Sequence, residues 1–244
     1  MRSLAGEPLL QAWERGANQA YLDRALTMLH AACPEVPIEQ LMAIGIPRLN
    51  LQLLRLRQIS FGSTLSGFVP CSHCGSRLEF SVPIASLLEQ LEPLVASNSV
   101  QWTDGTIEYS LRPASSRDLA LAQGESSPEG ARRLLMERCV TARPASESAE
   151  TVQLTEEASE TALQKFNQLH AAAEIVLQVS CPACGCAQAV DLDIARFLWM
   201  EVRHAAIRLL REVHELASAY GWEERGVLSM NPHRRSVYLE MLHS

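Results

Sequence analysis

Apolar residues recur at helical spacing through Leu9, Leu10, Trp13, Ala17, Ala20, Tyr21, Ala25 and Leu29, which predicts one long helix ending near Cys33-Pro34. A short helix follows over residues 38–44. Another is opened by Pro47, carries Leu51, Leu54 and Ile59 on one face and stops at Gly62. The period then changes. A weak strand over 65–69 and a clearly alternating one through Leu78, Phe80 and Val82 flank a Cys-x-x-Cys pair. Residues 100–112 predict a hairpin around Asp104-Gly105. Ser115 is placed to cap a helix through Asp118, Leu119 and Leu121, and Pro128 opens one through Leu134, Leu135 and Met136. Residues 142–150 are polar and aperiodic, a linker signal. The apolar run Ile175 to Val179 and the pair Val190 and Leu192 bracket a second Cys-x-x-Cys. The longest helix follows, with Leu198, Val202, Ala205, Leu209, Val213, Leu216 and Tyr220 as its packed seam. Gly221 ends it, and Ser229 with Pro232 starts a last short helix.

Two stretches of the chain are copies of one another at an offset of 110 residues (Cys71 to Cys181). Cys71-Ser-His-Cys74-Gly75 aligns with Cys181-Pro-Ala-Cys184-Gly185. Phe80 then matches Val190, Val82 matches Leu192, Ile84-Ala85 matches Ile194-Ala195, and Leu87-Leu88 matches Phe197-Leu198. Each copy reads as strand, knuckle, strand, helix. A Cys-x-x-Cys turn brings two thiolates to one cation, and the following glycine permits the turn that aims amides at the sulfurs. One knuckle supplies two ligands and structural zinc takes four, so Cys71, Cys74, Cys181 and Cys184 are expected to form one closed four-cysteine zinc site. The ion would staple two distant segments and hold both strand pairs in one sheet. Two redox pairs are the competing reading, but a thioredoxin-type pair precedes a helix, whereas these precede strands. Cys186 has no counterpart in the first copy, where Ser76 stands, and is read as a non-ligand. His73, inside the first knuckle, is read as a spectator.

The composition, 47% hydrophobic and 20% charged, is that of an ordinary globular chain of 244 residues. No uncharged apolar run approaches a membrane span, and the first residues lack the core of a secretory signal, so the expected compartment is the cytoplasm. A net charge of -7 argues against nucleic acid as the main partner. The only lysine is Lys165, and residues 145–193 hold eight acids beside it, which reads as a solvated face.

No catalytic fingerprint appears: there is no phosphate loop, nucleophile elbow, dinucleotide motif or His-Glu-x-x-His. Glu201-x-x-His204 has the spacing of half a di-iron site, but no second copy exists. Four thiolates leave no open position on a metal, so neither a metalloenzyme nor a small-molecule substrate is expected. The tail from Tyr220 mixes aromatic residues with arginines. Trp222, Arg234, Arg235 and Tyr238 are its candidate partner-binding residues, because Trp, Tyr and Arg dominate interface hot spots. A hairpin docked on the body by Trp222, Val227, Leu228 and Tyr238 is the alternative.

Several ordered pieces carry a resemblance. They are Trp13-Glu-Arg-Gly16, Cys71-Ser-His-Cys-Gly75, Arg112-Pro-Ala-Ser-Ser-Arg-Asp-Leu119, Cys181-Pro-Ala-Cys-Gly185, Leu192-Asp-Ile-Ala-Arg-Phe-Leu-Trp199, and the tail from Tyr220-Gly-Trp to Arg234-Arg235-x-x-Tyr238-Leu239. In this set the chain resembles the baseplate hub proteins, also described as hub assembly chaperones, of T-even-type contractile phage tails and of phage-derived contractile injection systems. The resemblance implies a noncatalytic protein used in virion or particle assembly, meeting hub or spike proteins. It carries no catalytic residues over, only the four cysteines as ligands. The expected architecture is α+β, mainly helical, with a split four-cysteine zinc ribbon. Four regions are expected: 1–62 helical, 63–96 with the first knuckle and helix, 97–152 an inserted subdomain and linker, and 153–244 with the second knuckle, long helix and C-terminal hairpin. A zinc-ribbon nucleic-acid-binding regulator is the alternative function, set against the acidic charge.

Overall fold

The computed structural model describes residues 1–144 and 156–243, a mixed α+β arrangement. Part of the expected linker, 145–150, lies outside the described residues. Four helices come first: α1 (Gly6–Gly16), α2 (Tyr21–Ala32), α3 (Ile38–Met42) and α4 (Ile46–Phe61). The single long N-terminal helix is therefore two. The chain breaks after Gly16, where Gln19 N–H donates back to Gly16 O and Arg24 Nε caps the same carbonyl. Helix α4 buries Leu49, Leu51, Leu53, Leu54 and Leu56 over more than half of its circumference and packs deep in the main core, with Arg48 and Arg55 on its exposed side. Ile59, expected on its buried face, is exposed. Gly62 stops the helix with a φ of +98°, a conformation that side chains with a Cβ resist.

Two hairpins carry the cysteines. Strands β1 (Thr64–Pro70) and β2 (Arg77–Pro83) pair antiparallel with Leu65 opposite Val82, and helix α5 (Ile84–Leu91) follows directly. Strands β6 (Val176–Ser180) and β7 (Ala187–Asp191) repeat the arrangement, with helix α9 (Ile194–Tyr220) following. Both helices start at the residue the repeat predicts. Their first residues, Ile84 and Ile194, are both fully buried. The expectation that a shared ion would draw both strand pairs into one sheet is not met, since the hairpins stay two separate two-stranded sheets. Their sulfurs converge at the knuckle ends, and although β2 lies against β6, no strand of one hairpin hydrogen-bonds to a strand of the other.

Between the hairpins, β3 (Val100–Asp104), β4 (Ile107–Leu111) and β5 (Val140–Pro144) form an antiparallel sheet in that order. The β3–β4 loop is Gly105-Thr106, with Gly105 at φ +56°. Helix α6 (Ser116–Ala122) packs on α7 (Pro128–Cys139), and α7 and α8 (Glu156–His170) pack on this sheet. Ser115 caps α6 in a full capping box with Asp118. Tyr109, Leu111, Met136, Cys139, Ala162 and Leu169 form a core of their own here. The main core instead joins the N-terminal helices to both hairpins and to α9. Hydrogen bonds tie the two together: Ile46 N–H to Ala114 O at 2.8 Å and Ser116 Oγ to Met42 O at 3.1 Å.

Helix α9 spans 27 residues, buries the predicted seam from Leu198 to Leu216 but leaves Tyr220 exposed, and is followed by Gly221, whose φ of +68° forms a left-handed cap. Helices α10 (Glu224–Ser229) and α11 (Pro232–His243) fold back on its end. Ser229 closes α10; Asn231 Oδ1 is the group that accepts from the start of α11, at His233 N–H. Among the described residues no helix is long and apolar enough to cross a membrane.

Candidate metal centre

Each knuckle begins where a strand ends. In the first, Cys71 N–H donates to Ser76 O at 2.8 Å and Gly75 N–H to Cys71 O at 2.9 Å. In the second, Cys181 N–H donates to Cys186 O at 2.8 Å and Gly185 N–H to Cys181 O at 2.8 Å. Gly75 and Gly185 both take a φ of +73°, the left-handed turn that returns the chain into β2 and β7. The repeat is thus one of backbone geometry as well as of letters.

These turns bring the four sulfurs within 4.8 Å of one another. Cys71 Sγ lies 3.7 Å from Cys184 Sγ, and Cys74 Sγ lies 3.7 Å from Cys181 Sγ. Disulfide sulfurs sit about 2.05 Å apart, so these are not bonded pairs. A regular tetrahedron with Zn–S bonds of about 2.3 Å has edges of about 3.8 Å, close to the 3.7 Å of these two pairs. The first cysteine of each knuckle is buried in the main core and the second faces solvent. The cluster therefore sits at the surface end of the core.

Local hydrogen bonds favour thiolates in the first knuckle. The amides of Cys74 and His73 lower the Cys71 pKa. The hydroxyl and amide of Ser76 bring that of Cys74 down to about 6. The amide of Cys186 acts the same way on Cys184, but burial and the three neighbouring sulfurs outweigh it and push that thiol up to about 12. Four thiols this close cannot all ionise without a cation among them, and a metal ion such as zinc could relieve the repulsion.

Among the described residues this is the one place where three or more metal-ligating side chains converge. Cys186 stands outside it, its Sγ directed at Ala187 O at 3.6 Å. His73 is exposed and outside it as well. Glu201 is engaged elsewhere, its carboxylate accepting from both Arg57 Nε at 3.0 Å and Arg57 Nη2 at 2.7 Å. Arg57 is nearly fully buried and also donates to Gly62 O and Thr64 O, so the pair fixes α9 against the entry to the first hairpin.

One residue of the site has no signature in the sequence. The Gln188 side chain bridges the knuckles, with Nε2 donating to Pro70 O at 3.1 Å and Oε1 accepting from Ser72 N–H at 2.8 Å. The available signal is a break in the repeat, because Leu78 stands at the matching position of the first copy.

The four tail residues divide. Trp222 is half-buried, stacked on Tyr220 at 4.6 Å and edge-on to Tyr238 at 4.9 Å, over a small core of Val213, Leu216 and Val227. Arg234 is exposed. Arg235 corrects an expectation: it is buried, with Nε 2.7 Å from Glu212 Oε2 on α9, and is an internal strut of the hairpin and not a surface donor. No protein-family model, curated protein or solved structure matches the chain.

Proposed function

We propose that the chain is a noncatalytic structural or assembly protein of the baseplate or hub of a contractile tail-like particle, held by one structural zinc in a split four-cysteine ribbon. The observation that carries the metal part is the four-sulfur cluster, built from two knuckles with matching turns and with all four sulfurs within 4.8 Å of one another. Zinc is the ion of choice for such a set, since thiolates select it and four of them complete its coordination. A filled coordination shell leaves no site for substrate or activated water, which supports a role without catalysis. The assembly part rests on the ordered motifs shared with the hub family, from Trp13-Glu-Arg-Gly16 to the Arg234-Arg235-x-x-Tyr238 tail.

The partner surface in this reading is the outer side of the C-terminal hairpin, where Arg234, Tyr220 and Leu242 are exposed. It meets hub or spike proteins in the cytoplasm of the producing cell. The test is co-purification of the full chain with the hub and spike proteins of its own particle. Arg234→Ala should lose the partner while keeping zinc and shifting stability by no more than about 0.5 kcal/mol. Arg235→Ala is the contrasting control, because losing the 2.7 Å bond to Glu212 and emptying a buried site should destabilise the hairpin. If Arg234→Ala co-purifies and assembles normally, the hairpin is a docked terminus and this surface is wrong. Retention of DNA or RNA in place of hub proteins would point to the regulator reading.

A further inference from the structure

Gln188 departs from the repeat at the place where the two knuckles touch. Its counterpart, Leu78, is completely buried in the apolar core. Gln188 is half-buried and turns its amide to the other knuckle, where it engages backbone groups on both sides of a ligand: the carbonyl of Pro70 before Cys71 and the N–H of Ser72 after it. The orientation of the amide is fixed by these partners, since a carbonyl only accepts and a backbone N–H only donates. The clasp is one-sided by sequence. The position matching Ser72 in the second knuckle is Pro182, which has no N–H to satisfy. Apart from the sulfurs themselves, these two are the hydrogen bonds that cross between the knuckles among the described residues.

We propose that Gln188 is a positioning residue for the metal, docking the first knuckle on the second so that Cys71 is held at ligand distance before and after the ion binds. The inference rests on the zinc reading given above. Its physical basis is preorganisation. The main core packs both hairpins, but they share no strand ladder. Without the clasp no hydrogen bond among the described residues, other than those of the sulfurs, crosses between the knuckles, so the ion must bear more of the cost of ordering them. The role differs from that of the ligands, because Gln188 touches neither sulfur nor ion and acts through the backbone that carries Cys71.

The experiment uses the full chain carrying Gln188→Leu, which restores the residue of the first copy, and Gln188→Met, which keeps the length of the side chain. Zinc affinity is measured by competition with a chelator, release is followed with a colorimetric zinc dye, and the melting point is taken with and without metal. Both variants should bind one zinc per chain and, loaded with cobalt, keep the absorption of a tetrathiolate site. Their zinc affinity should fall tenfold to about a hundredfold, the range for lost outer-shell partners, while the metal-free melting point stays at the wild-type value. An affinity loss below tenfold overturns the clasp. So does a metal-free protein destabilised as much as the loaded one, because linkage then leaves affinity unchanged and Gln188 is merely structural. Wild-type protein without bound zinc is a different failure: it removes the metal reading itself, and the clasp with it.

Discussion

Gly16 marks a point where a single methyl group has no room. A Cβ there would lie 2.5 Å from Cζ3 and 2.7 Å from Cη2 of Trp199, a ring buried in the main core beneath the Arg24 guanidinium. Gly16→Ala should destabilise the protein by about 1–3 kcal/mol in denaturant unfolding, as overpacking does elsewhere. Adding Trp199→Phe should recover part of the loss, since it removes the ring that clashes; no recovery would place the strain elsewhere. At this scale the sequence spoke clearly only where chemistry constrains spacing. The four cysteines were legible because a ligand pair must be close in sequence and because the pair is repeated with its apolar context. Arg235 was not legible. An Arg-Arg dipeptide reads as surface, and its acid, Glu212, lies on another helix with no local mark of the pairing.

The elements followed from pattern where the pattern was strong. The 27-residue α9, the knuckle strands and the capped α6 fall where periodicity and capping placed them. The break between α1 and α2 was hidden because Ala17 and Ala20 continue the apolar spacing straight through the turn. Helix α8 was hidden for the opposite reason. Its buried positions include Ala158, Ala162 and Leu169, and alanines give a weak apolar signal amid acids. Strand β5 occupies residues that read as the start of a linker, and only its pairing with β4 reveals it. The insertion offers its own test at Asp118, which is buried and bound by Arg112, Arg138 and the Ser115 amide and hydroxyl. Burial alone would raise its pKa. Arg112, Ser115 and Arg138 overcome that and hold it well below the usual carboxylate range. With an unfolded value near 3.9, the stability it contributes is complete above that pH and is lost as the pH falls through the folded value. The stability gap between wild type and Asp118→Asn should therefore be widest near neutral pH and shrink below about pH 4. A gap that stays constant down to about pH 2 would show that the ion pairs contribute nothing.

On the scale of the whole molecule, the four-cysteine cluster joins pieces of chain that the repeat separates by 110 residues (Cys71 to Cys181). The main core gathers the N-terminal helices, both hairpins and α9, with Cys71 and Cys181 among its buried members. The insertion keeps a second core and is tied to the N-terminal helices through the Ala114 carbonyl and the Ser116 hydroxyl. The ion in this account is a fastener between two hairpins that share no strand edge, and its ligands are sulfur alone. Periodicity gave the two knuckles but not how they meet, because contact at the tips leaves no trace in strand patterning. Zinc K-edge X-ray absorption on the purified full chain, with metal content measured on the same sample, tests this most directly. The account predicts one zinc per chain with four sulfur neighbours at about 2.3 Å and no nitrogen or oxygen in the shell. A mixed shell with His73 or water, or a folded protein without zinc, would contradict it.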